Sequence, residues 1–401
     1  MTAPRLLYLD DIPTPYRLGV QKRIAAEWPG EFKLAFCAES EPGREWTLDY
    51  GGIQPEFIEG KQWRPSGQVN PFSFKWNPSI TRTLDSWRPD VVALSGYVHP
   101  TMWLAARWCI RNRVPYAVAC ESSARNSATS GWRWRVKRAI AGWLVRNMAF
   151  GLPMGRESAE YLNRFGPTDA PMYFFPNTPD TSHIVAEAER LAASGGEPAL
   201  RSKLGIPPAV PVFLFVGRLI DAKRPLDALK AFRKLEDSGD AVLVIVGDGD
   251  LMETMRQEAV GDPRIIFTGW LRDATEIAGL MSIATAMLLP SQHEPWGAVV
   301  NESMAAGTPV ISSDRVGAAT ELVEDGINGF LVSVGDVAGY SDAMRKLLQD
   351  PARAEGMGIA ARVKAIAQGE EFAANNLISG ALAATAESSR RRMAGTDRNA
   401  G

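Results

Sequence analysis

The chain has 401 residues, of which 45% are hydrophobic and 22% are charged, and its formal net charge is -2 at pH 7. The composition is ordinary for a globular protein, and the length is natural for two domains. The small net charge gives no reason to expect nucleic acid as a partner. Cys37, Cys109 and Cys120 lack the spacing of a metal site and are typical of a reduced, cytosolic protein.

The N-terminal residues do not predict a targeting segment. The apolar stretch 6–9 is shorter than the apolar region of a signal peptide, and no cleavage-like sequence follows it. No stretch of the sequence reaches the length that spans a bilayer. We therefore expect a cytoplasmic protein, either in the cytosol or peripheral on the membrane face toward it.

The first half alternates short apolar runs with helical patterns, which predicts parallel strands joined by helices. The segment 54–78, rich in proline and tryptophan, allows no assignment. The predicted strands are 5–10, 33–38, 91–95 and 116–119, and the predicted helices are 17–28 and 102–112.

Residues 131–146 combine tryptophan with arginine and lysine. This mixture suits a helix on an anionic membrane surface. An ordinary amphipathic helix, with its tryptophans packed into the first domain, explains the segment equally well. Both interpretations stay open.

The second half repeats the scheme, and it predicts strands at 212–216, 241–246, 264–268, 286–289 and 309–312. We expect an α/β fold of two Rossmann-like domains, whose parallel sheets face each other across a ligand cleft. A connector with two prolines near 175–180 marks the boundary. The predicted divisions are a first domain at 1–176, a second at 177–369, a helix at 370–387 that returns to the first domain, and a disordered tail at 388–401.

Two cations follow the first strand of the second half. Gly217 ends that strand, and Arg218 and Lys223 lie in the loop before the next helix. Arginine binds phosphate oxygens in a fork and lysine binds them as a point charge, so both residues are candidates for holding a diphosphate. Solvated surface charge is the alternative interpretation.

The next strand ends at Gly247, which allows a ligand to approach the backbone closely. Asp248 and Asp250 after it match a D-x-D pattern that holds divalent cations in some proteins. No third ligand is evident, and aspartate in a strand-to-helix turn commonly caps the helix. We therefore expect no metal site.

Two carboxylates eight positions apart, Glu294 and Glu302, flank a loop and the start of a helix. Backbone N–H groups at a helix start bind phosphate, and carboxylates accept hydrogen bonds from sugar hydroxyls. The arrangement therefore indicates a nucleotide-sugar site. Small residues after Glu302 predict a helix packed closely on the sheet, which would leave Glu302 partly buried. An ordinary loop carboxylate and an ordinary surface carboxylate are the alternative.

In their order, these motifs resemble the retaining glycosyltransferases of the GT-B fold, family 4, of the bacterial group 1 type. The resemblance covers nearly the whole second half, from 213–218 through 246–249, 267–270 and the two glutamates to 317–323 and 326–329. It implies transfer of a hexose-type sugar from a nucleoside diphosphate to an acceptor hydroxyl, without metal or cofactor. The product would be a bacterial cell-surface polysaccharide or glycolipid, and the acceptor a lipid-linked or oligosaccharide hydroxyl.

The resemblance also implies a role for each group. Arg218 and Lys223 neutralise the diphosphate, Glu302 holds the ribose hydroxyls, and Glu294 holds hydroxyls of the donor sugar. Other donor-binding residues flank the base, the sugar or the phosphates, and they are Gly217, Gly247, Trp270, Leu271, Trp296, Gly297 and Ala298.

The first half departs from the family pattern in two places. The loop 11–17 has no glycine pair, so no backbone contact to phosphate is expected there, and Tyr16 is a further candidate. Glu121 stands where the family often has a histidine near the reacting sugar. His99 also ends a strand and is a candidate to face the cleft, although a lone histidine is more often structural.

Two other functions fit the same architecture. One is a sugar-nucleotide epimerase, which needs no acceptor, and the other is a non-catalytic nucleotide-sugar binding protein. The two glutamates together with Arg218 and Lys223 argue against both.

Overall fold

The structure, a computed structural model, describes residues 3–41, 48–63, 73–123, 131–165, 169–235 and 241–397. The chain forms two compact units. Unit 1 contains Met1–Thr178 and Glu370–Gly401, and unit 2 is Pro179–Gly369. The boundary predicted between residues 176 and 177 lies close to this division.

Unit 1 has central strands that are short, apolar and buried on both faces, as parallel sheets covered by helices require. Its strands are β1 (Arg5–Asp10), β2 (Glu31–Phe36), β3 (Glu56–Phe57), β4 (Lys61–Trp63), β5 (Phe74–Trp76), β6 (Val91–Leu94), β7 (Tyr116–Cys120) and β8 (Phe150–Pro153). Six of them form a parallel sheet in the order β3-β2-β1-β6-β7-β8, and β4 and β5 form a separate antiparallel pair.

Five helices connect these strands, and two of them, α1 and α3, begin with proline, whose missing N–H has no partner to lose at a helix start. The five helices are α1 (Pro15–Glu27), α2 (Ile80–Trp87), α3 (Pro100–Asn112), α4 (Gly131–Arg146) and α5 (Arg156–Asn163). Over the described ranges, none of the chain's helices combines the length and the apolar character that crossing a membrane requires.

Unit 2 contains a second six-stranded parallel sheet. Its strands are β9 (Val212–Val216), β10 (Val242–Val246), β11 (Ile265–Gly269), β12 (Ala286–Leu289), β13 (Val310–Ser313) and β14 (Gly329–Val332). Its helices are α6 (Thr181–Ser194), α7 (Glu197–Lys203), α8 (Pro225–Arg233), α9 (Met252–Glu258), α10 (Ala274–Ile283), α11 (Ala298–Ala305), α12 (Gly317–Leu322), α13 (Val337–Gln349) and α14 (Pro351–Ala367). A short 3-10 turn covers Asp221–Lys223.

The strand order of the unit 2 sheet, β11-β10-β9-β12-β13-β14, determines where a ligand can bind. From β9, the chain adds β10 and β11 on one side. It then crosses back and adds β12, β13 and β14 on the other side. The connections on either side of this switch point diverge, and they leave a crevice at the carboxyl ends of β9 and β12. The unit 1 sheet has the same order, with its switch point between β1 and β6.

A last helix, α15 (Glu370–Asp397), belongs to unit 1. Its small residues Ala373, Ala374 and Ala381 are buried in the same core as Leu6 and Tyr8 of β1. Small side chains allow this helix to lie close to the sheet.

The prediction of a disordered tail from residue 388 is wrong as far as residue 397, because α15 continues to Asp397. Ser388 Oγ and Arg392 Nη2 donate hydrogen bonds to the carbonyl oxygen of Arg113, at 3.5 and 3.2 Å. These polar contacts with the end of α3 hold a segment that lacks an apolar pattern.

The sequence did not predict β3 and β8 of the unit 1 sheet, β14 of the unit 2 sheet, or the β4–β5 pair. Strands β8 and β14 have four residues each, and a glycine or proline in each run is typical of a turn. The pair β4–β5 falls in the segment that allowed no assignment.

Gly247 after β10 is required by close backbone packing. Its φ is +137°, and a Cβ there would lie 1.9 Å from the carbonyl oxygen of Gly217. We expect Gly247→Ala to lower the free energy of unfolding of unit 2 by about 3 kcal/mol or more, because the backbone must move. Urea denaturation followed by circular dichroism measures this loss.

Gly261→Ala is the matched control for Gly247→Ala. The φ of Gly261 is +84°, but a Cβ at this position would meet nothing within 4 Å. The variant should lower the free energy of unfolding by about 1–2 kcal/mol, which is the cost of the left-handed backbone conformation alone. Equal losses in the two variants would contradict the packing explanation.

Candidate functional site

Glu294 lies in the loop between β12 and α11, and its position is fixed from several sides. Its N–H donates to the carbonyl oxygen of Arg315 at 3.1 Å, and its carbonyl oxygen accepts from the N–H of Gly317 at 3.2 Å. Its side-chain Oε1 accepts a hydrogen bond from Ser291 Oγ at 2.6 Å. The protein's own hydrogen bonds therefore orient the carboxylate.

Lys223 contacts this carboxylate directly, with 2.7 Å between Lys223 Nζ and Glu294 Oε1. The pair joins the loop after β9 to the loop after β12, which is the switch point of the sheet. A backbone hydrogen bond of 2.9 Å from the N–H of Gln292 to the carbonyl oxygen of Ala222 holds the same two loops together. Two residues predicted to bind different parts of a ligand thus bind each other.

Both members of this pair keep binding capacity. A lysine ammonium has three N–H donors, and a carboxylate has two oxygens. Within the described ranges, Glu294 Oε2 accepts no hydrogen bond. The pair can therefore remain closed while Lys223 binds an anion and Glu294 accepts from a hydroxyl.

Arg218 lies on the same loop as Lys223, and its backbone environment is well fixed. The flanking N–H groups of Gly217 and Leu219 donate to the carbonyl oxygens of Val246 and Asp248, at 3.0 and 2.9 Å. The side chain is exposed, and across the described part of the chain its guanidinium makes no hydrogen bond or ion pair. It is free to bind an anion.

The start of α11 offers backbone donors next to Glu294. Gly297 has a φ of +92°, and the loop turns into the helix there. The N–H groups of Gly297, Ala298 and Val299 donate no hydrogen bond to any described residue, as is usual for the first turn of a helix. The Trp296 indole is buried and donates to Asn301 Oδ1 at 2.9 Å, so only the backbone of this candidate faces a ligand.

Glu302 lies one turn further along α11 and is partly buried, as the sequence predicted. No described residue forms a hydrogen bond or ion pair with its carboxylate. Burial disfavours the charged form and raises the pKa of Glu302 from 4.5 to about 7. The structure therefore contains a poorly solvated acid without a partner near the end of the sheet.

The other unit 2 candidates follow β10 and β11. Trp270 is 64% exposed, Leu271 is partly buried, and Gly247 is buried, with its N–H bonded to the carbonyl oxygen of Gly269 at 2.9 Å. Asp248 Oδ1 accepts from the N–H of Gly249, its own neighbour, at 2.7 Å, so the expectation that an aspartate here caps the helix is wrong for Asp248. Over the described ranges, no three His, Cys, Asp or Glu side chains are grouped as a metal site requires.

The three unit 1 candidates occupy different environments. Glu121 forms an ion pair with Arg17 and accepts a hydrogen bond from Asn177 Nδ2 at 3.2 Å. His99 is buried, with its Nε2 3.0 Å from Asp11 Oδ1. Tyr16 is 40% exposed in the first turn of α1.

The structure also shows a charged group that sequence reasoning missed. Lys75 has no exposed side-chain surface, and its Nζ lies 2.7 Å from Asp11 Oδ1 and 2.8 Å from Glu41 Oε1. Burial alone would raise the pKa of Asp11, but the hydrogen bonds and charges of His99 and Lys75 outweigh it and lower that pKa. The only sequence signal was an aspartate directly after a strand.

Two family models match consecutive parts of the chain. The one described as "Glycosyl transferases group 1" matches residues 196–364, and the one described as "Glycosyl transferase 4-like domain" matches residues 38–178. The first covers the site in unit 2, and the second covers most of unit 1.

Two curated relatives show similar levels of identity. A glycogen synthase of Mycobacterium tuberculosis is 32% identical over 69% of this chain and 64% of its own length. An N-acetyl-alpha-D-glucosaminyl L-malate synthase of Bacillus anthracis is 32% identical over 45% of this chain and 46% of its own length. The chain thus spans about half to two thirds of the curated relatives it matches.

Solved structures share the fold along most of the chain. HepE of Anabaena in complex with UDP aligns with a TM-score of 0.72 at 19% identity, over 94% of this chain and 99% of that one. The same protein in complex with UDP-glucose aligns with a TM-score of 0.65 at 18% identity, over 94% and 99%. The two Rossmann-like units, each with a parallel sheet, have the GT-B fold.

The raised pKa of Glu302 predicts how stability depends on pH. The buried carboxyl is favourable while it is protonated, below pH 4.5, and this contribution is lost as the pH rises through about 7. We expect Glu302→Gln to raise the free energy of unfolding of unit 2 at pH 8, because it removes a charged and poorly solvated carboxylate, and to change it little at pH 4.5. Since the group is only partly buried, the expected gain at pH 8 is about 2 kcal/mol. Denaturation at the two pH values measures this.

Glu258→Gln is the control for this measurement, because Glu258 is exposed on α9 and its side chain forms no hydrogen bond or ion pair with any described residue. It should change stability little at either pH. A Glu302→Gln variant that is no more stable than the wild type at pH 8 would show that the carboxylate is well solvated.

Proposed function

Because the chain belongs to the group 1 glycosyltransferases of the family 4 type, we propose that it transfers a sugar from a nucleoside diphosphate to an acceptor hydroxyl. The donor is a nucleoside-diphosphate hexose, and it binds in unit 2. The product is a cell-surface polysaccharide or glycolipid. The chain spans only part of its curated relatives, so activity, substrates and partners are all part of the proposal.

One observation carries the proposal. The ion pair of Lys223 and Glu294 lies at the switch point of the unit 2 sheet, beside N–H groups at the start of α11 that donate to no described residue. Cations and helix-start N–H groups stabilise a diphosphate, and a fixed carboxylate accepts from a sugar hydroxyl. HepE, which shares the fold, has been solved with UDP and with UDP-glucose, which supports a donor of this class.

Each group then has a role along the donor. Arg218 and Lys223 bind the diphosphate, and Glu294 binds hydroxyls of the sugar through its free oxygen. Glu302 accepts hydrogen bonds from the ribose hydroxyls, which stabilise the carboxylate that burial desolvates. The base lies beside Trp270 and Leu271.

The transfer retains the configuration of the sugar. The bond between the anomeric carbon and the phosphate oxygen breaks, and the nucleoside diphosphate leaves with the bonding electrons. The acceptor oxygen forms its bond on the same face of the sugar, and its proton passes to an oxygen of the leaving phosphate. The rate then depends on stabilising the negative charge of the leaving group, through Arg218, Lys223 and the N–H groups of α11.

We infer that this transfer needs no divalent cation. The charge that a metal ion would neutralise is opposed by one guanidinium, one ammonium and a helix start. The nucleotide-sugar is a substrate of this reaction, and no resident cofactor takes part.

The first experiment offers the protein a panel of nucleotide-sugars in EDTA and measures release of nucleoside diphosphate. We expect release with at least one hexose donor. Arg218→Ala and Lys223→Ala should each lower the rate by about 10²–10³-fold, because removing one donor that stabilises transition-state charge typically costs this much.

Lys230→Ala is the control, because Lys230 is exposed on α8, away from the switch point. It should keep the wild-type rate. Wild-type rates for both Arg218→Ala and Lys223→Ala would contradict the leaving-group role, and loss of activity in EDTA would contradict the metal-free reaction. Conversion of the donor to its epimer would favour an epimerase, and nucleotide binding without turnover would favour a binding protein.

We also propose that α4 places unit 1 on an anionic membrane surface that holds the acceptor. Trp132 is 71% exposed, and Val136 and Trp143 follow it on the same side of the helix at 51% and 36%. The helix sequence contains five cationic residues and no acidic residue. An exposed apolar stripe beside basic residues is typical of helices that lie in the membrane interface. Trp134 instead packs on Tyr161 and Phe165, so the interior interpretation applies to that tryptophan.

Co-sedimentation with vesicles of phosphatidylglycerol and phosphatidylcholine tests this surface. The double variant Trp132→Ala, Trp143→Ala should reduce binding roughly tenfold, because it removes apolar area that the bilayer would bury. Ile327→Ala, which changes an exposed apolar residue of unit 2, is the control. A wild-type protein that stays in the supernatant would rule the surface out.

A further inference from the structure

In strand β5 and the residues on either side of it, the polar side chains lie inside the protein and the aromatic side chains face outward. Ser73, Lys75 and Asn77 alternate along the chain, and their exposed fractions are 1%, 0% and 2%. Phe74 and Trp76 lie between them and point to the opposite face. A strand on the surface of a protein usually shows the reverse pattern, with apolar residues inward.

Specific hydrogen bonds fix the inward residues. Ser73 Oγ and Lys75 Nζ both donate to Glu41 Oε1, at 2.9 and 2.8 Å. Asn77 Nδ2 donates to the carbonyl oxygen of Cys37 at 2.9 Å. The orientation of β5 is therefore set by buried polar contacts, and the outward face cannot turn inward without breaking them.

The outward face is a platform of aromatic rings. Trp63 of β4 pairs with Phe74 across the antiparallel ladder, and their rings are stacked with centroids 5.0 Å apart. Trp63 is nevertheless 62% exposed, and Trp76 is 46% exposed. We call Trp63, Phe74 and Trp76 the aromatic platform.

The platform lies at the ligand-binding edge of the unit 1 sheet. Lys75, on the reverse side of β5, reaches Asp11, which directly follows β1. Asp11 contacts His99, which ends the loop after β6. These contacts place the β4–β5 pair at the switch point between β1 and β6, where ligands of such sheets bind.

The charges near the platform do not match an anionic bilayer. The ammonium of Lys75 is already shared between Asp11 and Glu41. Lys61, opposite Trp76, is the other basic residue of the two strands. In this respect the platform differs from α4, with its five cations. Its rings are suited to a neutral partner with a flat apolar face.

We propose that the aromatic platform binds pyranose rings of the acceptor. One face of a pyranose ring presents C–H groups, which are weakly positive, and the face of an aromatic ring is negative, so the two stack. The sugar hydroxyls stay at the edge of the stack, where they keep their hydrogen bonds to water. This inference rests on the proposed glycosyltransferase function and names the acceptor as a saccharide.

The test uses the intact protein with maltotriose, cellotriose and chitotriose as probes, in saturation-transfer NMR and in titrations of tryptophan fluorescence. We expect saturable binding of at least one trisaccharide. Trp63→Ala and Trp76→Ala should each weaken it about tenfold, since one lost ring contact corresponds to about that factor. Trp63→Phe keeps a ring and should retain most of the affinity, which separates stacking from misfolding.

Two further measurements separate this proposal from the donor site and the membrane surface. Nucleoside diphosphate affinity, measured by calorimetry, should be the same in the wild type and in the double variant Trp63→Ala, Trp76→Ala. Vesicle binding should also be unchanged in that variant.

Three results would overturn the platform as an acceptor site. The first is that the wild type binds none of the trisaccharides. The second is that the double variant binds them as tightly as the wild type does. The third is that the double variant loses vesicle binding but keeps saccharide binding. Absence of nucleoside diphosphate release from every nucleotide-sugar would count against the glycosyltransferase instead, and the trisaccharide titration would still decide whether the platform binds saccharides.

Discussion

Lys223 and Glu294 follow two neighbouring strands of the unit 2 sheet that are separated in the chain by two others, and their charged atoms meet at 2.7 Å. The contact joins the two sets of loops that border the crevice. Glu294 is in turn bonded through its backbone to Arg315 and Gly317, which follow β13. Together with the hydrogen bond from the N–H of Gln292 to the carbonyl oxygen of Ala222, this pair connects the loops that hold the cations, the carboxylate and the N–H groups at the start of α11.

The two units have the same strand order but carry different side chains at the switch point of the sheet. In both sheets the order of the strands leaves a crevice at the switch point, which lies between β1 and β6 in unit 1 and between β9 and β12 in unit 2. Unit 2 places there a lysine and a glutamate with unused binding capacity, whereas unit 1 places the buried cluster of Asp11, Lys75 and His99. A buried lysine shared by two carboxylates is costly to form, and removing either partner is strongly destabilising. It is better suited to holding the β4–β5 pair in place than to binding a charged ligand.

How much of the molecule the sequence predicts depends on how far apart the interacting residues lie. The loop with Arg218 and Lys223, and the pair Glu294 and Glu302, are local patterns next to strands, so their residues and their order could be predicted. The ion pair between Lys223 and Glu294 and the cluster around Lys75 join residues far apart in the chain, and no local pattern encodes them. The segment 54–78 gave no assignment because it is rich in proline and tryptophan. Polar and aromatic residues do alternate around β5, but the polar ones are buried, and no local pattern indicates that. The end of α15 depends on the carbonyl oxygen of Arg113, which lies in another part of the chain.

The position of α15 has a consequence for synthesis on the ribosome. The core of unit 1 includes Ala373, Ala374 and Leu377, which emerge only after the roughly 190 residues of unit 2. At about 5–20 residues per second, translation leaves part of the unit 1 core uncovered for about 10–40 s. Unit 2 is continuous in the chain and can fold during this interval. The unit that is translated first is therefore completed last, and its exposed apolar face is a natural target for chaperones.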